Sequence, residues 1–334
     1  MNRGFWDKLP KPFWVLAPMY DVTDVAFRET IIACGRPHVF FTEFTSTDGL
    51  MSAGREKLMH HLQFEPNEHP IVAQIFGANP EKFYQTAKLI HELGFDGVDI
   101  NMGCPKKAEI KGGACAALFK NPKLAQEIIL ATREGGRGPI NRHATEQGDL
   151  PVSVKIRIGD TKVDWEPWIA SLLEVKPAAI SIHLRTRKEM SKVPAHWELF
   201  PKIVTFIQSC MNVEDRPLII GNGDVTSLAE AKEKVAESNC DGIMIGRGIF
   251  QNPWIFNESI DPATISPLDR AKVMLSHAKL FESLYKDVKP FNILKRFFKI
   301  YISGFPGAAE IRDELYHTTS VNDAEAVLRK YEVL

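Results

Sequence analysis

Eight short apolar runs rich in β-branched residues recur along the chain: FWVLAP (13–18), VFFTEF (39–44), PIVAQIF (70–76), GVDIN (97–101), PVSVKIR (151–157), AAISIH (178–183), PLIIGN (217–222) and DGIMIG (241–246). Helix-like segments separate most of them, among them 80–94, 122–135 and 227–238, the last following a Thr226/Ser227 N-cap signal. Strand and helix alternating eight times predict an α/β chain folded as a TIM (β/α)8 barrel. The near-continuous apolar character of the runs fits parallel strands covered on both faces.

Each run ends in residues suited to chemistry or to close backbone approach. In order these are Pro18 and Met19, Glu43, Gln74, Asn101 with Cys104, Lys155, His183, Asn222-Gly223-Asp224, and Gly246-Arg247. A barrel of this type builds its active site from the C-terminal strand ends and the loops after them, so these scattered residues converge on one cavity. Polar residues also mark where any strand stops, but eight in succession favour a site.

The connection between the fourth and fifth runs is long, partly through GGRGPINRHATEQGD (135–149), which reads as a polar, glycine-rich surface excursion. After DPATISP (261–267) only helical patterns remain. The predicted organisation is a catalytic barrel over 1–262 followed by a small C-terminal helical domain over 263–334.

Composition narrows the class. With 334 residues, 44% hydrophobic and 25% charged, the chain can bury a large core and is not globally disordered. Five cysteines at irregular spacing, with no CxxC pair, predict a reduced, cytoplasmic chain without a metal site, and nothing in the sequence suggests more than a monomer. No stretch approaches the ~20 apolar residues of a membrane span, and the N-terminal apolar run is too short for a signal sequence. The net charge of -1 offers no whole-molecule attraction for a polyanion. Its distribution does: residues 263–334 hold 11 basic and 9 acidic side chains, against 30 and 33 in the barrel. Within 286–299, Lys286, Lys289, Lys295, Arg296 and Lys299 oppose only Asp287 and interleave with Phe291, Phe297 and Phe298. The segment reads as a helix with a phosphate-contacting face and a phenylalanine core face.

The turns Asn222-Gly223-Asp224 and Gly246-Arg247-Gly248 follow the last two strands, where barrels commonly bind phosphate. Glycine lets backbone N–H groups approach an anion, and Arg247 adds a charged fork. With Lys155 and His183, the cavity has donors suited to a flavin phosphate and to the electron-rich edge of its ring. Lys155 could instead pair with Asp99 or Glu43 as a structural salt bridge. Cys104, between glycine and proline just past the fourth run, can serve as nucleophile or general acid, or as a packed small hydrophobe. Cys34, Cys115, Cys210 and Cys240 read as structural.

LAPMYDVTDVAFR (16–28), TEF (42–44), VAQIFG (72–77), GVDINMGCPKKAEIKGGACAALFKNP (97–122), VSVKIRIG (152–159), IHLRTR (182–187), IIGNGDV (219–225) and DGIMIGRGIFQNPWIF (241–256) resemble, in order, the signatures of the tRNA-dihydrouridine synthases. ILKRFFKIYISGFPGAAEIRDEL (293–315) resembles their C-terminal helical domain. The resemblance implies an FMN enzyme, reduced by NADPH or NADH, that saturates the C5=C6 bond of uridine in tRNA. It implies FMN contacts from Pro18, Met19, Tyr20, Gln74, Lys155, His183, Asn222, Gly223, Asp224, Gly246 and Arg247. Cys104 is implied as the proton donor, Asn101 and Arg185 as residues orienting the base, and Lys295 and Arg296 as tRNA contacts. Two other readings stand beside it: a small-molecule flavin-barrel reductase of the dihydroorotate or dihydropyrimidine type, and a tRNA-binding module without redox activity.

Overall fold

The computed structural model describes residues 2–138 and 148–334, so most of the excursion expected at 135–149 lies outside the described residues. Among these, nine parallel strands form one sheet: β1 Phe13–Leu16, β2 Phe40–Phe41, β3 Thr45–Ser46, β4 Ile71–Phe76, β5 Gly97–Asn101, β6 Val152–Arg157, β7 Ala179–His183, β8 Leu218–Asn222 and β9 Gly242–Ile245. The order is β1-β9-β8-β7-β6-β5-β4-β2, with β3 also on β4. Val15 bridges Val39, just before β2, and Leu16 N–H donates to the Val39 carbonyl at 3.1 Å, which brings the two edges together into a barrel.

Every predicted run contains a strand, but the second is cut to two residues, and its continuation is the separate β3. Gln74 and Lys155, expected at strand ends, lie inside β4 and β6, two residues short of the ends. The period of two keeps them on the same face as the end residues, so both lie beneath the rim.

The helices of the barrel sequence are α1 Val25–Cys34, α2 Thr47–Leu50, α3 Pro80–Leu93, α4 Lys107–Lys111, α5 Pro122–Gly135, α6 Trp165–Leu173, α7 Phe200–Cys210 and α8 Leu228–Ser238. Local signals place them. Asn79 caps α3 by accepting from Glu81 N–H at 3.0 Å, Pro80 opens it, and Gly94 at φ 91° ends it. Asn121 and Pro122 open α5 in the same manner. A short 3-10 turn, Gly4–Lys8, packs Phe5 and Trp6 into a buried cluster with Phe13, Val15, Phe41, Val72, Ile220 and Met244. The N-terminal apolar residues thus belong to the barrel core.

Two compact units result. The first comprises residues 1–20, 37–225 and 229–246 and holds the whole sheet. The second comprises 21–36, 226–228 and 247–334, with α9 Pro267–Tyr285, α10 Phe298–Tyr301, α11 Ala308–His317 and α12 Val321–Lys330. The sequence suggests a boundary near 262; compactness groups α1 with the C-terminal helices. Phe27 stacks on Phe297 with ring centres 5.2 Å apart, and Val25 N–H donates to the Tyr285 hydroxyl at 3.2 Å.

The segment 286–299 is not the single basic helix expected. After α9 ends at Tyr285, the chain passes Pro290 into a 3-10 turn, Phe291–Phe297, and then α10. Lys289 turns inward, 5% exposed, and pairs with the equally buried Asp24 at 3.0 Å. It is not a surface cation. Phe297 and Phe298 are core residues, as read from the sequence.

Candidate active site

Strand register sets the polar residues in two tiers. Gln74 pairs with Asp99 and Asp99 with Ser153; one step higher, Asn101 pairs with Lys155 and Lys155 with Ser181. At the rim Arg157 pairs with His183 and His183 with Asn222.

A chain of hydrogen bonds runs through these tiers. The Asp99 carboxylate accepts from Gln74 Nε2 and from Ser153 Oγ, both at 2.7 Å. With its NH2 so engaged, Gln74 turns its carbonyl oxygen to Asn101 Nδ2 at 3.1 Å. Asn101 Oδ1 then accepts from Gly103 N–H at 3.1 Å and Cys104 N–H at 3.0 Å, fixing the turn that carries the thiol. Arg157 braces the same turn, donating to the Gly103 carbonyl at 2.7 Å and to the Thr186 and Met190 carbonyls.

Burial pushes the Asp99 carboxyl up to about 6, against the hydrogen bonds from Ser153 and Gln74 and the charge of Lys155. Burial and the charge of Arg157 bring Lys155 down to about 8, against Asp99 and Cys104. Lys155 Nζ donates to Asn222 Oδ1 at 3.1 Å, and Asn222 Nδ2 donates to the Met244 carbonyl at 2.8 Å. Lys155 is thus a half-buried amine held on a neutral amide oxygen, with Asp99 acting on it only through space.

Arg185 is 2% exposed. Its guanidinium pairs with Asp224, contacts His183 Nε2 at 3.2 Å and donates to the Val193 carbonyl at 2.6 Å. Gly223 adopts φ 141°, and a β-carbon there would meet that of Ala195 at 2.7 Å. Trp197 Nε1 donates to the Gly223 carbonyl at 2.8 Å, so both neighbours of the turn after β8 are anchored.

Cys104 is half-buried and packs against a small apolar cluster of Phe76, Ala114 and Cys115. The two thiols hydrogen-bond. Donation from Cys115 is the main cause that draws Cys104 down to about 6, against its own burial and with help from the Lys106 N–H and charge. The same contact, with full burial, pushes Cys115 up. Lys106 Nζ lies 4.3 Å from the Tyr20 ring centre, and Tyr20 in turn faces Phe44 and His61.

Pro18 and Met19 follow β1, and Gly246 follows β9. Arg247 opens the second unit at the start of a 3-10 turn, Arg247–Phe250. Lys295 and Arg296 also lie in that unit: Lys295 Nζ donates to the Tyr316 carbonyl at 2.7 Å and Arg296 to the Asp21 carbonyl at 3.2 Å. The expected site residues of the barrel therefore stand on adjacent strands in register. Residues the sequence reading did not assign to the site, Asp99, Ser153, Arg157 and Cys115, complete the network; Asp99 and Arg157 were visible as charges inside apolar runs. No group of three or more His, Cys, Asp or Glu side chains able to hold a metal occurs among the described residues, and none of their helices is long and apolar enough to cross a membrane.

A closed parallel barrel carrying buried amides and a half-buried lysine beneath a rim thiol is an enzyme of the (β/α)8 class. A morphinone reductase variant solved with tetrahydroNAD shares this fold, with a TM-score of 0.50 over 75% of this chain and 87% of that one, at 11% identity. The dihydrouridine synthase (Dus) family model matches residues 15–333. A Staphylococcus aureus (strain Mu50) protein named "Probable tRNA-dihydrouridine synthase" is 41% identical over 99% of this chain and 97% of its own length. "Probable tRNA-dihydrouridine synthase 2" of Bacillus subtilis (strain 168) is 42% identical over 99% and 98%. The chain belongs to the dihydrouridine synthase family, flavin-dependent oxidoreductases that act on a CH–CH bond of uridine in tRNA.

Proposed function

We propose that this protein reduces the C5=C6 bond of specific tRNA uridines to 5,6-dihydrouridine, with FMN as its flavin and NADPH or NADH as reductant, as a cytoplasmic monomer. FMN, when bound and reduced, supplies the hydride that reaches C6. The residues fit such a group. Ser181 Oγ is buried in the Lys155 tier without a hydrogen-bond partner, and glycine at 223 lets the turn after β8 lie against Ala195, where a β-carbon would collide. Gln74, Lys155 and His183 would contact the ring edge, Pro18, Met19 and Tyr20 its face, and Asn222, Gly223, Asp224, Gly246 and Arg247 the ribityl and phosphate.

Hydride addition at C6 leaves negative charge toward C4–O4, and C5 then needs a proton from an acid fixed on the other face. Cys104 is the proposed donor. The observation that carries this role is the Asp99–Gln74–Asn101 chain, which ends on the backbone of Cys104 and fixes the turn that presents its thiol. Asn101 is spent on that turn and so positions the acid, while Arg185 positions His183 and Asp224. The target base must leave its stack to reach a pocket in a barrel mouth, and exposed cations of the second unit, Arg296 among them, are proposed to hold tRNA phosphates.

The test is Cys104→Ala. The variant is expected to purify with FMN while dihydrouridine formation on a tRNA transcript falls at least a hundredfold. Near-normal turnover by a flavin-loaded variant refutes the donor role, and a chain that takes up no FMN refutes the cofactor reading.

A further inference from the structure

The proposed chemistry uses one thiol of a touching pair and leaves Cys115 without a reaction of its own. Cys115 is fully buried and stands at φ 57°, a left-handed conformation unfavourable for a residue with a β-carbon. That turn directs its side chain onto Cys104. Ala116 N–H donates to the Cys104 carbonyl at 3.4 Å, tying the two backbones together beside the sulfurs. One thiol of the pair is half-exposed and the other is buried behind it, which is the arrangement of an attacked cysteine with a resolving cysteine.

We propose that Cys104 and Cys115 form a reversible disulfide when the protein meets a hydroperoxide, and that this modification silences the enzyme. The Cys104 thiolate attacks the terminal peroxide oxygen; the O–O bond breaks, and the alcohol (water, from hydrogen peroxide) leaves, taking up a proton. Cys104 is then a sulfenic acid. The Cys115 sulfur attacks the Cys104 sulfur, the S–O bond breaks, and the Cys115 proton leaves with the oxygen as water. Two thiols lose two electrons in all, and one hydroperoxide gains them. The acidity that Cys115 confers on Cys104 favours the first step. Cys34 and Cys240 are poorer candidates for the attacked thiol, since burial pushes them up to about 12 and about 11, and Cys210, exposed at the end of α7, lies outside the apolar cluster that brings Cys104 and Cys115 together.

The silencing, but not the pairing, rests on the proposed role of Cys104, and the experiment separates the two. The full-length enzyme is treated with hydrogen peroxide, quenched by alkylation and digested with trypsin, which cuts at Lys106, Lys107 and Lys111 between the two cysteines. The expected product is a linked pair of peptides, one ending at Lys106 and one spanning Gly112–Lys120, lighter by two hydrogens than their sum. Dihydrouridine formation is expected to fall at least tenfold and to return with dithiothreitol. In Cys115→Ser no such link forms, and activity lost to peroxide, measured against the variant's own untreated rate, does not return because Cys104 proceeds to sulfinic acid. Sulfinic acid at Cys104 without the link in the native chain overturns the pairing, as does full dithiothreitol recovery of the Cys115→Ser variant. A link that leaves activity intact overturns the silencing and the proton-donor reading together, with the pairing standing.

Discussion

Replacing Cys115 by alanine tests how Cys104 is tuned as an acid. The hydrogen bond from Cys115 is the largest influence drawing Cys104 down to about 6, and burial alone would raise it. Only the protonated thiol can donate to C5. In the native enzyme kcat/KM, which reports the free protein, should therefore be level below about pH 6 and fall about tenfold per unit above it. At pH 8 most Cys104 has lost its proton. Without Cys115 the thiol returns toward the ordinary range near about 8.5, so most Cys104 is protonated at pH 8. It is also a weaker acid, so the variant's plateau is lower. The two profiles cross: the variant is slower at pH 6 and loses less activity by pH 8. Dihydrouridine formation on one tRNA transcript across this range gives the profile. The pH dependence of Cys104 alkylation by iodoacetamide, followed by mass spectrometry, gives the thiol titration independently. Coincident breaks for the native chain and the variant in both measurements would refute the assignment of Cys104 acidity to Cys115.

Gly223→Ala places a β-carbon 2.7 Å from that of Ala195 on a left-handed backbone, so flavin retention, read from the visible absorbance of the purified protein, should drop while the fold survives. Lys289→Ala leaves the Asp24 carboxylate buried without its ammonium partner and should cost about 3–5 kcal/mol in the unfolding of the second unit; Lys289→Met with Asp24→Asn should recover most of that, and equal thermal stability of the single variant and native chains would refute the pair's role. His277, wholly buried against Tyr301 at 3.0 Å, is held down to about 4, below its unfolded value. Its contribution is present above about pH 6.5 and is lost as pH falls toward 4, so His277→Gln should flatten the acid limb of thermal stability between those values.

The barrel was legible because parallel strands must be apolar on both faces, and each of the eight runs contains a strand. The second run misled in length, since Glu43 lies buried between β2 and β3, where pairing with β4 is interrupted. The charge count over 286–299 misled for another reason. Composition treats every lysine as a surface charge, whereas Lys289 lies where Asp24, 265 positions earlier, can pair with it. Only the packing of α1 on α9 reveals that pair, and no periodicity in either segment encodes it.

The site divides along the same line. Asn101, Cys104, Lys155, His183 and Asn222 could be read from their places near strand ends, because a barrel turns strand order into proximity. Cys115 could not, since its part depends on one left-handed residue that folds the glycine-rich stretch back onto the turn it followed. A residue eleven positions downstream looks like packing in the sequence, and in the fold it lies against the proposed proton donor and draws its pKa down. The same contact that makes Cys104 a ready acid also makes it a ready thiolate, so proton donation and oxidation compete for one sulfur. Any substitution that weakens the pairing should shift both properties in the same direction, giving a poorer acid and a thiol slower to meet peroxide. A variant that separates them would show that the pair's geometry, rather than its shared proton, carries the coupling.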